Sequence, residues 1–512
     1  MIRRTFFASL LFLQACASLP QHVPETRSIA WQAPQDTALG QFFAERQPAD
    51  VPGSGVRLVP DPRDAFKVRY GLAALAEHTL DLQYYLWKGD QTGRLLLWRA
   101  LQAADRGVRV RLLIDDIYHK GRDLTYAHIN AHPFVEVRVF NPHGNRGAGR
   151  SGNFLVNKKT LNHRMHNKIF LVDNAVAVLG GRNIGDDYFG IDPKLNFHDL
   201  DVLVVGEAAR QTGAAFDLYW NSSAALPIGL LVTDEVEAAD LEPLRFELEA
   251  ELEETLGEIP YKVPQRVDGV LDSLEQIAGE LIWADAEVIV DPLERFDGDT
   301  ESAFQALGRT LLDDISEDLI IQTAYLIPDE GTMESIEALT ERGVRVRIMT
   351  NSALSNNHIS VHAHYMKHRK PIINAGAELY ELRADAELLD HYREVDSEIA
   401  DSHAGLHTKA LVADGRISVI GSYNMDPRSR IWNSEIALLV RDEAFGEIVR
   451  EEMLEEFLPG NAYRLQLDEA GGLLWTIDAE DGPEQWTRDP GTNSWRRFIT
   501  RLISWIPIEN EL

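Results

Sequence analysis

Two short segments of this 512-residue chain carry the same chemistry. His166-Asn167-Lys168 is followed by Asp173, and His407-Thr408-Lys409 by Asp414, so both read H-x-K-x-x-x-x-D. In each copy a glycine stands 14 positions after the histidine (Gly180, Gly421), a small residue 15 after it (Gly181, Ser422) and an asparagine 17 after it (Asn183, Asn424). Chance does not repeat so many offsets, so the two segments are copies of one unit. On a strand, residues two apart share a face, so His166 and Lys168 project together, as do His407 and Lys409. Two such units opposed across a pseudo-twofold would set two imidazoles, two ammonium groups and two carboxamides around one point, a set that suits a phosphate diester. One imidazole can attack phosphorus and the other protonate the leaving oxygen. The Lys and Asn groups, with Ser422, can hold the non-bridging oxygens as charge builds.

A histidine used in this way needs a carboxylate to fix its tautomer and basicity. Glu435, 28 residues after His407, is the candidate in the second half. In the first half Phe197-His198-Asp199-Leu200-Asp201 occupies the matching place, with Asp199 preferred and Asp201 as the fallback. Asp173 and Asp414 end their strands and join the catalytic set in a supporting role. Tyr84 and Tyr85 are expected to pack beneath the pocket. His358, His362, His364 and His368 form a further cluster, in which His364 and His368 have the i, i+4 spacing of metal ligands on a helix. No Glu accompanies them in H-E-x-x-H form, so the cluster reads as a substrate loop or solvated helix, with His362 expected to reach the pocket. No metal or other cofactor is expected.

The elements that must position these residues repeat as well. Arg106-Gly107-Val108-Arg109-Val110-Arg111 returns as Arg342-Gly343-Val344-Arg345-Val346-Arg347, an offset of 236 that nearly matches the 241 between the histidines. Before each copy an apolar strand (81–87 and 318–327) leads into a polar helical segment ending at Arg-Gly, where Gly suits a helix C-cap. After it, β-branched residues alternate with Arg and then run apolar, as in a strand entering a helix-covered sheet. The expected fold class is α/β: two pseudo-symmetric repeats, 51–265 and 266–465, each a mixed β-sheet flanked by helices, with the active site at their interface. Residues 466–512 form a C-terminal extension, and the acidic run 234–256 reads as a solvated helix face.

These residues resemble the phospholipase D superfamily, whose paired H-x-K-x4-D motifs with trailing G-[GS]-x-N are complete here. Leu161 to Met165, Gly180 to Gly185, Tyr219-Trp220-Asn221 and the Trp495-to-Pro507 tail look like its bacterial cardiolipin synthase C branch, and the likeness runs from about Leu58 to the C-terminus. The resemblance implies phospholipase D-type repeats and transfer of a phosphatidyl group from phosphatidylglycerol to a second phospholipid, through a phosphohistidine and without metal. It makes His166 the nucleophile and His407 the acid and base; the sequence itself leaves the two symmetric. Phospholipids are the expected partners, and an accessory protein is compatible with this reading. Three competing readings are a phospholipase D or other phosphodiesterase that uses water as acceptor, a nuclease, which the bulk negative charge disfavours, and a lipid-binding envelope lipoprotein without turnover.

Composition narrows the partners. Fifty Lys plus Arg against 81 Asp plus Glu give a net charge of −31, which disfavours nucleic acid, since such binding depends on cationic residues displacing counterions. With 45% hydrophobic and 26% charged residues the chain can bury a sizeable core and exceeds one ordinary domain. Its one cysteine, Cys16, excludes an intrachain disulfide, a Cys-based zinc cage and a Cys-x-x-Cys redox pair. Arg3 and Arg4 precede an apolar run from Phe6 to Leu13, too short to span roughly 30 Å of hydrocarbon and read as the core of a signal peptide, 1–15. Leu13-Gln14-Ala15-Cys16 resembles a lipobox, so Cys16 is expected to be acylated, with 16–50 as a lipidated tether. A plain secretory cut near Ala15 or Ala17 is the alternative. Ala17, where Asp would signal retention, favours the outer membrane and a periplasmic enzyme. At the other end Trp495, Phe498, Ile499, Leu502, Ile503 and Ile506 share one helical face with Arg496, Arg497 and Arg501 off it, the pattern of an interfacial membrane helix or of a helix docked on the body.

Overall fold

Apolar strands and glycine-capped helices alternate twice along the chain, and the architecture follows that alternation. The computed structural model describes residues 26–49, 51, 53–146, 158–259, 267–297, 300–479 and 482–512. Cys16, the expected signal peptide and the expected boundary near 265 lie outside the described residues. In the first half the long strands are β1 (Ser54–Val59), β2 (Thr79–Tyr84), β3 (Arg109–Asp115), β4 (Val135–Phe140), β6 (Ile169–Val172), β7 (Val176–Gly180) and β9 (Asp201–Gly206). Short strands β5 (Arg164–Met165), β8 (Leu195–His198) and β10 (Ala225–Pro227) lie among them. The sheet order is β10-β4-β3-β2-β6-β7-β9-β1; β2, β3 and β4 run parallel and the remaining neighbours antiparallel.

The second half repeats this order. Its strands are β11 (Ile282–Val290), β12 (Asp318–Thr323), β13 (Arg345–Asn351), β14 (Glu378–Leu382), β16 (Lys409–Ala413), β17 (Ile417–Gly421) and β19 (Ile436–Arg441), with short strands β15 (His403–Leu406) and β18 (Asn433–Ser434). They pair in the order β14-β13-β12-β16-β17-β19-β11, again with the first three parallel. The extension adds β20 (Ala462–Leu467), β21 (Leu473–Ala479) and β22 (Gly482–Trp486) beyond β14. β11 pairs with β1 through Ile282 to Ala284 and with β19 through Asp285 to Val290, so one strand joins the two sheets.

Strand alternation decides what each sheet face buries. In β6, Ile169 and Leu171 enter a core shared with Val412, Ile420 and Leu438 of the second half, while Phe170 and Val172 pack under the first half's own helices. β16 divides in the same way, Ala410 and Val412 facing the shared core and Leu411 and Ala413 the outer one. The outer helices Gln91–Asp105 and Glu330–Glu341 end at Gly107 and Gly343, whose φ of 93° and 87° makes the expected left-handed cap.

The tether reading fails from Thr26 onward. Thr37 caps the helix Ala38–Ala44, and Ala30, Leu39 and Phe43 are buried. Arg111 and Arg138 donate to the Ser28 and Thr26 carbonyls, so this stretch belongs to the folded body. Burial of three well-spaced apolar residues among many Pro and Gln was too sparse a period to read.

Candidate active site

Two pairs of short strands cross between the halves and build the site. β18 runs parallel to β5, Ser434 opposite Met165, so the next residues, Glu435 and His166, come face to face. β8 runs parallel to β15, His198 opposite Leu406, which brings Asp199 to His407. The backbone N–H of His166 donates to the Ser434 carbonyl at 2.9 Å, and that of His407 to the His198 carbonyl at 2.8 Å. His166 Nδ1 then lies 2.7 Å from Glu435 Oε2, and His407 Nδ1 2.6 Å from Asp199 Oδ2. Each histidine is therefore oriented by a carboxylate of the other repeat. Spacing counted along the chain suggested a carboxylate within each half. An ionised carboxylate only accepts, so Nδ1 carries the proton in both rings and each Nε2 presents its lone pair.

The lysines stand beside the rings. Lys168 Nζ donates to the His166 carbonyl at 2.5 Å, and Lys409 Nζ donates to the His407 carbonyl. All four side chains are buried. Burial pushes Lys168 down to about 7 and Lys409 down to about 8, each opposed by Glu435 and Asp199. Burial also holds both imidazoles below their ordinary range, with the two ammonium groups adding to the effect at His407. At rest the site thus contains neutral imidazoles ready to attack or accept. It also holds poised ammonium groups, which an entering anion would keep charged.

The carboxylates differ. Glu435 Oε2 accepts Ser422 Oγ at 2.5 Å, and Oε1 accepts Ser429 Oγ at 2.9 Å and Asn433 Nδ2 at 3.2 Å. Burial alone would raise Glu435, yet His166, the Lys168 ammonium group and the Ser422 hydroxyl leave it below its ordinary value. Asp199 accepts the Leu200 N–H at 2.9 Å, and burial lifts it above its ordinary value. Gly181, the counterpart of Ser422, makes room for it: a Cβ there would stand 2.1 Å from Asp199 Oδ1.

Several expected residues lie elsewhere. Asp173 and Asp414 are corrected from the catalytic set: they cap the turns entering β2 and β12. Asp173 accepts the N–H groups of Glu77, His78 and Thr79 at 2.7 to 2.9 Å, and Asp414 those of Ser316, Glu317 and Asp318 at 2.9 to 3.0 Å. Ser422, expected on the phosphate, gives its hydroxyl to Glu435 instead. Asn183 is engaged by the Leu86 N–H at 3.2 Å and by Tyr188 Oη at 3.0 Å. Asn424 is buried, and its Oδ1 has no hydrogen-bond partner among the described residues. Tyr85 packs edge-on to His166 with ring centroids 4.7 Å apart, as expected, whereas Tyr84 turns away to Arg69. Asp201 pairs with Arg69 at 2.7 Å and Arg182 at 3.3 Å, a buried structural cluster.

The histidine cluster divides. His362 turns to Asp489 at 3.5 Å and Arg369, not to the pocket; His358, not His362, adds to the field at His407. His364 and His368 both face Glu509. Among the described residues no group of three or more His, Cys, Asp or Glu is placed to hold a metal ion. Sequence reading missed Tyr188 and Phe197, whose rings pack 5.1 and 5.2 Å from that of His407, and Ser429 on Glu435. Tyr188 and Ser429 each follow their histidine by 22 positions, one more matched offset that was there to be found.

Two pseudo-symmetric sheets with a histidine and a lysine from each at one interface define the two-repeat phospholipase D class. Comparison with known proteins agrees. The family model described as "Cardiolipin synthase, PLD-like domain" matches twice, over residues 72–220 and 309–457. Cardiolipin synthase C of Escherichia coli K12 is 35% identical over 452 residues, covering 87% of this chain and 93% of its own. A cardiolipin synthase of Oceanobacillus iheyensis is 24% identical over 384 residues, 75% of this chain and 64% of its own. Among solved structures, phosphatidylserine synthase of Haemophilus influenzae Rd KW20 superposes with a TM-score of 0.54 at 12% identity, covering 91% of this chain and 95% of that one, a likeness of fold. The chain belongs to the cardiolipin synthase family of the phospholipase D superfamily, in the branch of cardiolipin synthase C, and is a phospholipase D-type phosphatidyltransferase.

Proposed function

We propose that this enzyme forms cardiolipin, moving the phosphatidyl group of phosphatidylglycerol onto a second phospholipid through a phosphohistidine. The observation that carries this reading is the pair of crossed dyads, His166 with Glu435 and His407 with Asp199, with Lys168 and Lys409 beside them. Nε2 of neutral His166 attacks phosphorus. The bond to the leaving alkoxide breaks, and His407, protonated at Nε2 once the diester anion has entered, gives that oxygen its proton. In the second half the acceptor hydroxyl loses its proton to His407, its oxygen bonds to phosphorus and His166 departs. Lys168, Lys409 and Asn424 are assigned to the non-bridging oxygens, while Asn183 and Ser422 hold the walls. The asymmetry of the carboxylates supports these roles. A phosphorylated imidazole with Nδ1 protonated carries positive charge, and Glu435 is the carboxylate held below its ordinary value.

Purified protein in mixed micelles with phosphatidylglycerol, alone or with phosphatidylethanolamine, tests the reading by product analysis. Cardiolipin is expected as the main product and phosphatidic acid as the minor one. Phosphatidic acid predominating at high acceptor mole fraction would make the enzyme a hydrolase with the same residues in the same roles, and no turnover would leave a lipid-binding protein.

Membrane contact is assigned to both ends. Cys16 is proposed as an acylated anchor, favouring the outer membrane with the enzyme on the periplasmic side. The C-terminal helix Ser494–Ile503 leaves Trp495, Phe498 and Leu502 exposed, followed by exposed Trp505 and Ile506, and its arginines supply cationic flanks for anionic lipid. No helix among the described residues is long and apolar enough to cross a membrane. Fractionation of Cys16→Ser is expected to show loss of the anchored form with activity in detergent retained.

A further inference from the structure

The two repeats fill the space between sheet and outer helices differently. In the first, Arg69 of the Pro62–Leu75 helix bridges Asp201 and donates through Nε to Tyr84 Oη at 3.3 Å, and all three are buried. Equivalent positions in the second repeat follow from register. β2 ends at Tyr84 where β12 ends at Thr323, and Asp201 opposes Gly180 where Ala437 opposes Gly421. The Ala-Phe pair shared by the two helices, Ala65-Phe66 and Ala303-Phe304, sets their register, so Arg69 and Tyr70 correspond to Leu307 and Gly308. The plug of guanidinium, carboxylate and phenol thus gives way to a leucine, an alanine and a threonine.

A cavity of about 590 Å³ stands in its place. Leu307, Leu311, Ile336, Leu339, Leu411 and Val419 line it, so its walls are predominantly apolar. Lys409 and Asp426 line it too, so it adjoins the catalytic lysine, and exposed Gly308 brings it to the surface. Lys409 and Leu411 are two apart on β16 and share a face, so a ligand held at the ammonium group meets hydrocarbon next. The volume falls within the roughly 300–1,000 Å³ typical of small-molecule sites. A lining of this kind rejects a polar head group and accepts a hydrocarbon chain.

We propose that this cavity takes one acyl chain of the phospholipid whose phosphate is bound between the two histidines, an assignment that rests on the phosphatidyltransferase reading above. Binding energy from the chain, remote from phosphorus, would hold the diester in line with His166 and keep water from the Lys409 side of the pocket.

The test fills the cavity from the helix that lines it. Leu307→Phe with Leu311→Tyr is expected to lower kcat/KM on dioleoyl phosphatidylglycerol about tenfold, the loss expected when burial of about two methylene groups is removed. Turnover of dihexanoyl phosphatidylglycerol and of bis(p-nitrophenyl) phosphate is expected to stay within about twofold, and fluorescence of bound cis-parinaric acid to fall. Gly308→Leu, where no atom lies within 4 Å of the added Cβ, serves if the double variant fails to fold. An unchanged preference for long chains in folded variants overturns the proposal. Loss of parinaric acid binding with that preference intact assigns the cavity to free fatty acid and overturns it as well. Wild-type protein that cleaves bis(p-nitrophenyl) phosphate but no phospholipid defeats the phosphatidyltransferase reading itself, a failure distinct from an unaltered chain-length preference.

Discussion

The two histidine–carboxylate dyads are made by the same motif and the same strand crossing, yet they hold their charge differently. Glu435 sits among Ser422, Ser429 and Asn433, three donors that favour its ionised form. Asp199 lies against Gly181 and, among the described residues, is met by the Leu200 N–H and His407. Duplication kept the geometry and left each half free to set its own proton affinity. On the proposed mechanism, a carboxylate held below its ordinary value suits the histidine assigned to carry a positive phosphoimidazole. One lifted by burial suits the histidine assigned to release its proton and recover it.

The largest effects come from breaking either dyad at the ring. His166→Ala and His407→Ala are each expected to cost at least about 10⁴-fold in kcat, because residues that act as a unit fail together. Acid-labile phosphate is expected to accumulate on His166 in the His407 variant; phosphate found on His407 in the His166 variant would reverse the roles. Removing the charge of the carboxylates comes next. Glu435→Gln and Asp199→Asn are each expected to lose on the order of 10²–10⁴-fold by leaving the ring in the wrong tautomer. The Glu435 change should be the more severe if the phosphorylated imidazole is the species that needs it, a ranking that single-turnover kinetics can read.

Exchanging the small residues sharpens the comparison. Gly181→Ser places a Cβ within 2.1 Å of Asp199 Oδ1 and is expected to displace that carboxylate, with a loss on the order of 10²-fold. Ser422→Gly removes one donor to Glu435 while two remain, and about tenfold is expected. Equal losses would show that the two environments are not functionally distinct. The lysines add a pH limb. With Lys168 near 7 and Lys409 near 8, kcat/KM is expected to fall as pH rises through these values and the ammonium groups are lost. Stability should move the other way. A buried lysine with its proton affinity lowered binds fewer protons folded than unfolded between its native value and 10.5, so these two groups add stability as pH rises through that window. Thermal denaturation of Lys168→Met at pH 7 is expected to show a midpoint a few degrees above wild type, with activity lost.

The smallest catalytic effect is expected at Asp173. Asp173→Ala removes the acceptor of three N–H groups at the entrance to β2, which should lower stability by about 1–3 kcal/mol while kcat of the folded fraction stays close to wild type. The measurement is denaturant unfolding beside active-site titration.

Repetition was legible in the sequence because duplicated spacing survives translation along a chain. The matched offsets identified both histidines and both lysines, the chemistry a histidine needs pointed to Glu435 and Asp199 on the strands that follow, and the Arg-Gly repeats gave two mixed sheets with helices over them. Strand alternation placed Lys168 with His166, since a two-residue period is local. Partnership across the interface is not local. That Glu435 serves His166 and Asp199 serves His407 depends on β18 meeting β5 and β8 meeting β15, contacts whose members are more than 200 residues apart. For the same reason only the folded chain could show that Asp173 and Asp414 cap turns, that Ser422 faces a carboxylate, and that a cavity opens at Thr323 and Ala437 where Tyr84 and Asp201 are buried around Arg69. Side-chain identity sets what a residue can do; the register of distant strands sets which partner it does it with.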